Sequence, residues 1–473
     1  MGVPVPALAD RATACAERLR AADQVLLVSH IDADGLTSAA IAARALERVS
    51  LPFESVFANQ LDEEMIARIA ATDYETVLFT DFGSGQLDII VEYAKTGAFT
   101  PVIVDHHQPA DAETTYHLNP LLEGIDGASE LSGAGASYLL ARALEDDTDN
   151  RDLAGLAVVG AVGDMQASDG ELHGANAAIV DEGVAADILT TGKDLVLYGK
   201  QTRPLPKLLE YASEVSIPGI SNDESGAIRF LDELDLELKT DGLWRTWADL
   251  TAEERRTLVS ALIQRAVNRG VPADRIETLI GRSYELITEA SGTELRDASE
   301  FSTLLNATAR YERADVGLAV CLGDRGAALD RARRLLQNHR RNLSEGLDFV
   351  TEHGVTREEY VQWFHAEDRI RETIVGIVAG MAVGTDGVDS DLPIVAFATK
   401  PSDDDDPAIK VSARGTPTLV RRGLDLSTVM HDAATAVDGE GGGHDIAAGA
   451  TIPAGTEQTF IEAVNDRIAD QLG

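Results

Sequence analysis

Asp and His residues recur in this chain at the carboxyl ends of apolar runs. Leu26–Ser29 leads into His30-Ile31-Asp32-Ala33-Asp34-Gly35, Glu75–Thr80 into Asp81, Pro101–Val104 into Asp105-His106-His107, and Gly155–Val162 into Gly163-Asp164-Met165-Gln166. One Asp in such a place commonly caps the helix that follows it, and Asp34 on its own reads that way. Four runs that all deliver an Asp, two of them with His, are poorly explained by capping. Crowded carboxylates repel one another and are stabilised by a cation held between them. His30, Asp32, Asp34, Asp81, His106 and Asp164 are therefore the candidate metal ligands. Oxygen and imidazole donors without thiolate favour Mn²⁺ or Mg²⁺ over structural zinc. The set is too large for one ion and about enough for two, with Asp81 the expected bridging carboxylate. Two such ions generate hydroxide and clamp the attacking and leaving oxygens of a displacement at phosphorus.

His107 and Asp105 are the candidate catalytic residues. His107 directly follows a candidate ligand, so it is expected to point elsewhere, toward phosphate oxygens or the leaving group. Asp105 either orients an imidazole or coordinates directly. A G-x-S-x-G nucleophile elbow and a G-x-x-x-x-G-K-[ST] phosphate loop are both absent, which argues against a serine hydrolase and that kind of ATPase. A second signal lies late in the chain at Gly441-Gly442-Gly443-His444. Consecutive glycines expose backbone N–H groups and permit close approach of an anion, and His444 adds a donor.

The elements that must position these groups follow from periodicity. A helix is expected up to about Ala22, then strand Val25–Ser29, helix Leu36–Arg48, strand Glu54–Asn59 and helix Asp62–Ala71. Further strands are expected at Glu75–Asp81, Pro101–Val104 and Gly155–Val162. Strands alternating with helices at this spacing predict a parallel, helix-covered sheet, whose strand ends form the binding crevice. Organisation loosens from Thr190 to Val355, where turns at Arg203-Pro204, Pro206 and Ile217–Gly219, then helices alternating with acidic loops through Leu250–Asn268, suggest a groove-shaping insert. The final module has strands at Leu392–Ala398 and Ala408–Ala413, a helix near Leu426–Val437 and a closing strand and helix. The acid run Asp403–Asp406 reads as a solvated connection between strands. The expected division is 1–190 for the catalytic α/β domain, 191–355 for the helical and mixed insert, and 356–473 for a smaller α/β domain.

Length and charge bound the rest. A chain of 473 residues is too long for one core. Eighty Asp and Glu face 40 Lys and Arg, a formal net charge of -40, and only seven of the bases are Lys. The acids are spread over every expected helix while the apolar fraction stays at an ordinary 44%. That pattern fits a folded protein from a salt-accumulating cell, because molar salt shortens the screening length to about 3 Å. With no 18-residue apolar run and no basic n-region before an apolar segment, a cytoplasmic protein without membrane contact is expected. Cys15 and Cys321 make no disulfide framework. Six arginines between Arg325 and Arg341 (325, 331, 333, 334, 340 and 341) form a basic path in an acidic chain; they either contact phosphate or pair with nearby acids. Trp244, Trp247 and Trp363 read as core or interface groups.

His30–Gly35, Asp81, Asp105–His107 and Gly163–Met165 resemble, in order, the four motifs of the DHH phosphoesterases. Gly441–His444, preceded by Lys410-Val411-Ser412-Ala413-Arg414, resembles the family's DHH-associated DHHA1 domain. Within the superfamily the chain is most similar to the archaeal RecJ-like exonucleases, through the H-x-D-x-D-G opening, Asn119-Pro120 and Ser132–Gly135. Taken with the acidity, a haloarchaeal source is expected. The resemblance implies a divalent-metal exonuclease with two ions, Mn²⁺ before Mg²⁺. Its substrate would be single-stranded DNA or RNA, cut to mononucleotides in replication or repair. It further implies substrate contacts from Arg310, Lys410, Arg414, Gly441, Gly442, Gly443 and His444, and, as in some archaeal relatives, association with the GINS replication complex. Two alternatives stand beside it: a phosphodiesterase for short oligonucleotides or cyclic dinucleotides, and a replisome-associated binding subunit whose nuclease activity is secondary.

Overall fold

A computed structural model describes residues 3–167, 170–212, 215–385, 387–400 and 408–473. The Asp403–Asp406 run lies outside the described residues. The chain divides into two compact units, residues 1–333 and 334–473.

In the first unit, α1 (Ala9–Arg20) precedes β1 (Val25–His30), α2 (Ala33–Arg48), β2 (Phe53–Ala58), α3 (Glu63–Ala70), β3 (Thr76–Thr80), α4 (Leu87–Lys95), β4 (Thr100–Val104) and β5 (His117–Leu118). The five strands form one sheet in the order β2-β1-β3-β4-β5, every neighbouring pair parallel. Successive side chains of a strand face opposite ways, and the apolar runs obey this. Val25 and Leu27 of β1 and Leu78 of β3 join the core made with α1, α2 and α5 (Gly133–Ala143). Leu26, Val28, Val77 and Phe79 join the core made with α3 and α4. Both faces are covered, which is why these strands read as continuous apolar runs. The chain leaves β1 toward β2 and returns to β3 on the other side, so the switch point of the sheet lies between the carboxyl ends of β1 and β3.

The run expected as a fourth motif-bearing strand is a helix, α6 (Ala154–Gly163). A short, wholly apolar segment buried on all sides carries no period that separates strand from helix. Small residues let this helix sit very close to its neighbours. A Cβ on Gly160 would lie 2.4 Å from both Ala134 Cβ and Asp34 Oδ1. The first helix after β1 also starts earlier than its apolar spacing suggests, at Ala33. Its cap is Asp32, which accepts from Gly35 N at 3.0 Å, so Asp34 lies inside the first turn.

After α7 (Gly174–Ala185), β6 (Leu189–Leu195) pairs antiparallel with β9 (Ile280–Leu286). The excursion between them holds α8 (Leu205–Glu210), α9 (Glu224–Asp232), the short pair β7 (Lys239–Thr240) and β8 (Leu243–Trp244), α10 (Ala252–Asn268) and α11 (Ala273–Glu277). It has a core of its own around Leu208, Phe230, Trp247 and Leu258. The chain then returns as α12 (Ala298–Ala309), which packs on α2 and α6, and α13 (Ala314–Cys321). The long α14 (Ala327–His353) contains the boundary between the two units.

The second unit is a six-stranded mixed sheet in the order β10-β11-β12-β13-β15-β14. Its strands are β10 (Thr356–Arg357), β11 (Gln362–His365), β12 (Ile394–Lys400), β13 (Ala408–Arg414), β14 (Glu440–Gly443) and β15 (Ala447–Pro453). Helix α15 (Glu372–Ala382) packs on one face. The face opposite carries α16 (Pro417–Arg421), α17 (Leu426–Thr435) and α18 (Glu457–Leu472). Among the described residues no helix is long and apolar enough to cross a membrane.

Candidate functional site

Five segments of the first unit converge at the switch point. His30 ends β1, Asp32 and Asp34 open α2, Asp81 follows β3, Asp105–His107 follow β4, and Asp164 follows α6. Donor atoms within 4.8 Å of one another form overlapping clusters: His30 with Asp32 and Asp81, Asp34 with His106 and Asp164, and Asp81 with Asp105, His106 and His107. All six expected metal ligands are thus brought together, with both expected catalytic residues beside them.

Asp81 joins the clusters. Its Oδ2 lies 3.5 Å from His30 Nδ1, and its Oδ1 lies 3.3 Å from His106 Nε2. Both oxygens are buried without a properly formed hydrogen bond. An orphaned buried carboxylate is costly, and a cation at each oxygen would satisfy it. The donor set therefore fits divalent ions. Asp81 has φ +62°, a left-handed conformation that is strained for a residue with a Cβ, and so does Met165 at +60°, immediately after Asp164. Room for the Asp81 carboxylate exists because position 133 is glycine: a Cβ there would meet Asp81 Oδ1 at 2.3 Å.

The remaining candidate ligands are aimed by partners. Asp34 accepts from Gly133 N at 2.8 Å and Ala134 N at 3.0 Å, the first residues of α5. His106 Nδ1 is 2.7 Å from the Gly127 carbonyl; with the proton on Nδ1, Nε2 keeps its lone pair free for an ion and lies among Asp34, Asp81 and Asp164. Gln166 donates to both Gly127 O and Asp164 Oδ2, each at 2.9 Å, and is held in turn by Asn176. Ala33 N donates to Asn306 Oδ1 at 3.0 Å, tying α12 to the opening motif. Asp105 is fully buried, accepts from the backbone of Ser84, His106 and His107, and lies 2.8 Å from His107 Nδ1. His107 is otherwise open, its side chain 54% exposed.

Electrostatics follow the same crowding. Burial opposes a charge on His30, yet Asp32 and Asp81 push its imidazole up to about 11. Burial and the neighbouring Asp81 and Asp164 raise Asp34 well above the usual carboxylate range. Burial likewise lifts Asp164 to about 6. Against its own burial, Asp81 is held at about 2 by His106 and His30. The cluster thus demands positive charge, which protons supply when no metal does. His107 is raised chiefly by its bond to Asp105, which favours the protonated ring.

The expected substrate contacts divide between the units. Arg310 is exposed, at the carboxyl end of α12 in the first unit. In the second, Lys410 and Arg414 alternate with the core-facing Ile409, Val411 and Ala413, so they share the opposite face of β13. Gly441–Gly443 are not an open loop but the edge strand β14, paired with β15. A Cβ on Gly441 would strike Met430 O at 2.4 Å, so close packing of α17 needs glycine there. His444 is exposed just beyond the strand, its N–H bonded to Ala447 O. Of the arginine run, Arg325 and Arg333 pair with Glu289 and Glu294, and Arg341 bonds Asn338. Trp247 is buried in the insert core and donates to Asp194.

Gln166, Gly127 and Asn306 were not singled out as functional from the sequence. Gln166 stands just after the fourth motif, but no spacing rule says that its amide reaches an Asp, or that of Asn306 a helix start, in space.

Residues 24–161 match the family model described as DHH family, N-terminal domain, residues 197–280 the DHH-CID domain, and residues 360–470 the DHHA1 domain. An uncharacterized protein of Methanocaldococcus jannaschii is 30% identical over 456 residues, covering 95% of this chain and 94% of that protein. RecJ from Thermus thermophilus, solved in complex with Mn²⁺, shares the fold with a TM-score of 0.60 at 18% identity, over 99% of this chain and 56% of RecJ. This chain therefore spans little more than half the length of that protein. CDC45 from Entamoeba histolytica gives a TM-score of 0.64 at 13% identity, over 96% of this chain and 97% of CDC45. Likeness at these identities is one of fold.

Proposed function

The chain belongs to the DHH family, with DHH, DHH-CID and DHHA1 domains, and on that premise we propose that it is a two-metal phosphodiesterase acting as an exonuclease on single-stranded nucleic acid and releasing mononucleotides. The observation that carries this reading is Asp81, a buried carboxylate with two unpartnered oxygens, each turned to a different group of donors. His30, Asp32 and Asp81 would hold one ion, and Asp34, Asp81, His106 and Asp164 the other, with Mn²⁺ favoured over Mg²⁺ by the two imidazoles. When bound, such ions supply a hydroxide nucleophile and neutralise charge at phosphorus.

The chain's own residues do the rest. His106 is oriented by the Gly127 carbonyl, and Asp164 by Gln166. Asp105 holds His107 through Nδ1, leaving Nε2 to donate a proton to the leaving oxygen as the phosphorus–oxygen bond breaks. Lys410, Arg414, Gly441–Gly443 and His444, with Arg310, are the proposed contacts to the nucleic acid, and a GINS-type replication complex is the proposed partner. An intact donor set favours an enzyme over a purely binding subunit.

The test is digestion of strands labelled at either end, in molar KCl with Mn²⁺. Stepwise shortening from one terminus to mononucleotides, abolished in Asp164→Asn, is expected. Turnover of dinucleotides alone would turn the reading to a short-oligonucleotide phosphodiesterase. Wild-type rates in Asp164→Asn would overturn it.

A further inference from the structure

The second unit carries a cavity of about 240 Å³ between the end of α14 and its sheet. Gly354, in the left-handed region at φ +74°, bonds its N–H to Val350 O, ends α14 and turns the chain back into β10. Strand β10 is two residues long and pairs only with Gln362 and Trp363 of β11. Among the described residues, the edge of β11 beyond Trp363 therefore has no strand beside it on that side. The cavity fills this gap, lined by Phe349 and His353 of α14 and by Trp363 and His365 of β11.

Phe, Trp and Tyr make up 5% of the chain, yet three of the nine lining residues are Phe or Trp and two more are His. Their rings are held in place before any ligand arrives. His353 stacks on Phe349, with centroids 4.3 Å apart and planes 25° from parallel, and its Nδ1 bonds the Phe349 carbonyl at 2.9 Å. Trp363 stands edge-on to Phe397 at 5.9 Å, and His365 stacks on the same Phe397 at 5.7 Å. Glu367 N donates to His365 Nδ1 at 2.9 Å from a left-handed backbone, φ +52°, a conformation that is costly for a residue with a Cβ. The Arg369 guanidinium lies over the Phe349 ring, 5.6 Å from its centroid, and among the described residues it forms no ion pair. In a chain with twice as many acids as bases, such a guanidinium is available to phosphate.

Fixed rings with a guanidinium beside them are what an unstacked base finds on proteins that bind single strands. The volume is below the ~300–1,000 Å³ usual for a complete small-molecule ligand, which fits a part of one, a single base. Glu367 adds a carboxylate to the lining, an acceptor only, so a base with an exocyclic amino group matches better than thymine. Three strands, β12, β13 and β15, separate β11 from the glycine strand β14, so this contact is distinct from that one.

We propose that this cavity receives one unpaired base of a single strand, stacked on the rings of His353 and Trp363, with Arg369 meeting an adjoining phosphate. The proposal rests on the single-strand reading and gives that strand an anchor in the second unit, where no candidate metal donor lies.

The test reads binding without turnover, in full-length Asp164→Asn, the variant expected not to cut. A deoxycytidine decamer carrying one 5-iodocytosine should photo-cross-link within residues 349–369. Adding His353→Ala, an exposed change at a helix end, should weaken the decamer about tenfold, within the range one stacked base contributes, and leave an abasic decamer of equal length bound as before. Cross-links confined to other segments, an affinity unmoved by His353→Ala, or equal losses for the two strands overturn the pocket. Digestion by the unsubstituted chain is read separately. A wild type that cuts no strand, while the cross-link and the selective loss are found, overturns the exonuclease and upholds the pocket.

Discussion

His106 Nε2 lies 3.3 Å from Asp81 Oδ1, and no proper hydrogen bond satisfies either oxygen of that carboxylate. The pair therefore waits on a shared positive charge. Asp81→Asn removes the negative charge that both donor groups share, and the expected result is loss of metal-induced stabilisation. At a hundredfold excess of ion over its dissociation constant, the wild type should gain about 2.7 kcal/mol per site. Thermal unfolding with and without Mn²⁺ measures this, and an undiminished gain in Asp81→Asn would remove Asp81 from the ligand set.

His107 separates chemistry from metal binding. It bonds Asp105, lies against the His106 ring with 4.3 Å between centroids, and is otherwise open to the cleft. His107→Ala should lower turnover by roughly 10²–10⁴-fold, the usual contribution of a positioned acid. The metal-dependent shift in melting temperature should stay at its wild-type size. If that shift collapses too, His107 is a ligand and not a proton donor.

Gly160 tests how closely α6 supports the site. A Cβ at this position would fall 2.4 Å from Asp34 Oδ1 and 2.5 Å from Thr37 Oγ1. Gly160→Ala should cost about 1–3 kcal/mol as overpacking and weaken metal binding by displacing Asp34. Gly155→Ala on the same helix meets nothing nearer than Leu286 Cδ2 at 3.2 Å, a flexible side-chain end, and should be close to neutral. Equal costs for the two would mean that the close approach to Asp34 is not what glycine provides.

Glu300 gives the pH dependence. It is fully buried in α12, accepting from Gln201 N and the Thr202 hydroxyl, and burial lifts it from an ordinary 4.5 to about 7. Because the folded state holds this proton more tightly than the unfolded chain, the group favours folding at low pH. Its penalty grows as pH rises from 4.5 through 7, to about 3 kcal/mol. Denaturant titrations of wild type and Glu300→Gln should therefore diverge from pH 5 to pH 8, the variant becoming relatively more stable. A constant difference would contradict the shifted carboxyl.

Much of the site was legible because β1, β3 and β4 are apolar on both faces and each ends in Asp or His. The fourth element was not, since Gly155–Val162 is as apolar as a strand while Gly160 serves helix packing against Ala134 and Asp34. Nor could spacing show the left-handed backbone of Asp81 and Met165, which depends on the surroundings rather than on residue type. Gly441–Gly443 carried two compatible meanings, an anion loop or a strand pressed against α17, and tertiary packing chose the strand. The arginine run was divided in the same way, Arg325 and Arg333 having found acids that lie far off in sequence.

Every candidate ion donor falls between His30 and Asp164, wholly inside the first compact unit. A cation seated there rivets five stretches of backbone that the sheet only lines up. Stripping it with a chelator should soften that half and leave the half built on six strands indifferent. A scanning calorimeter would then see two endotherms that drift apart, one a gauge of metal content and the other a fixed internal standard.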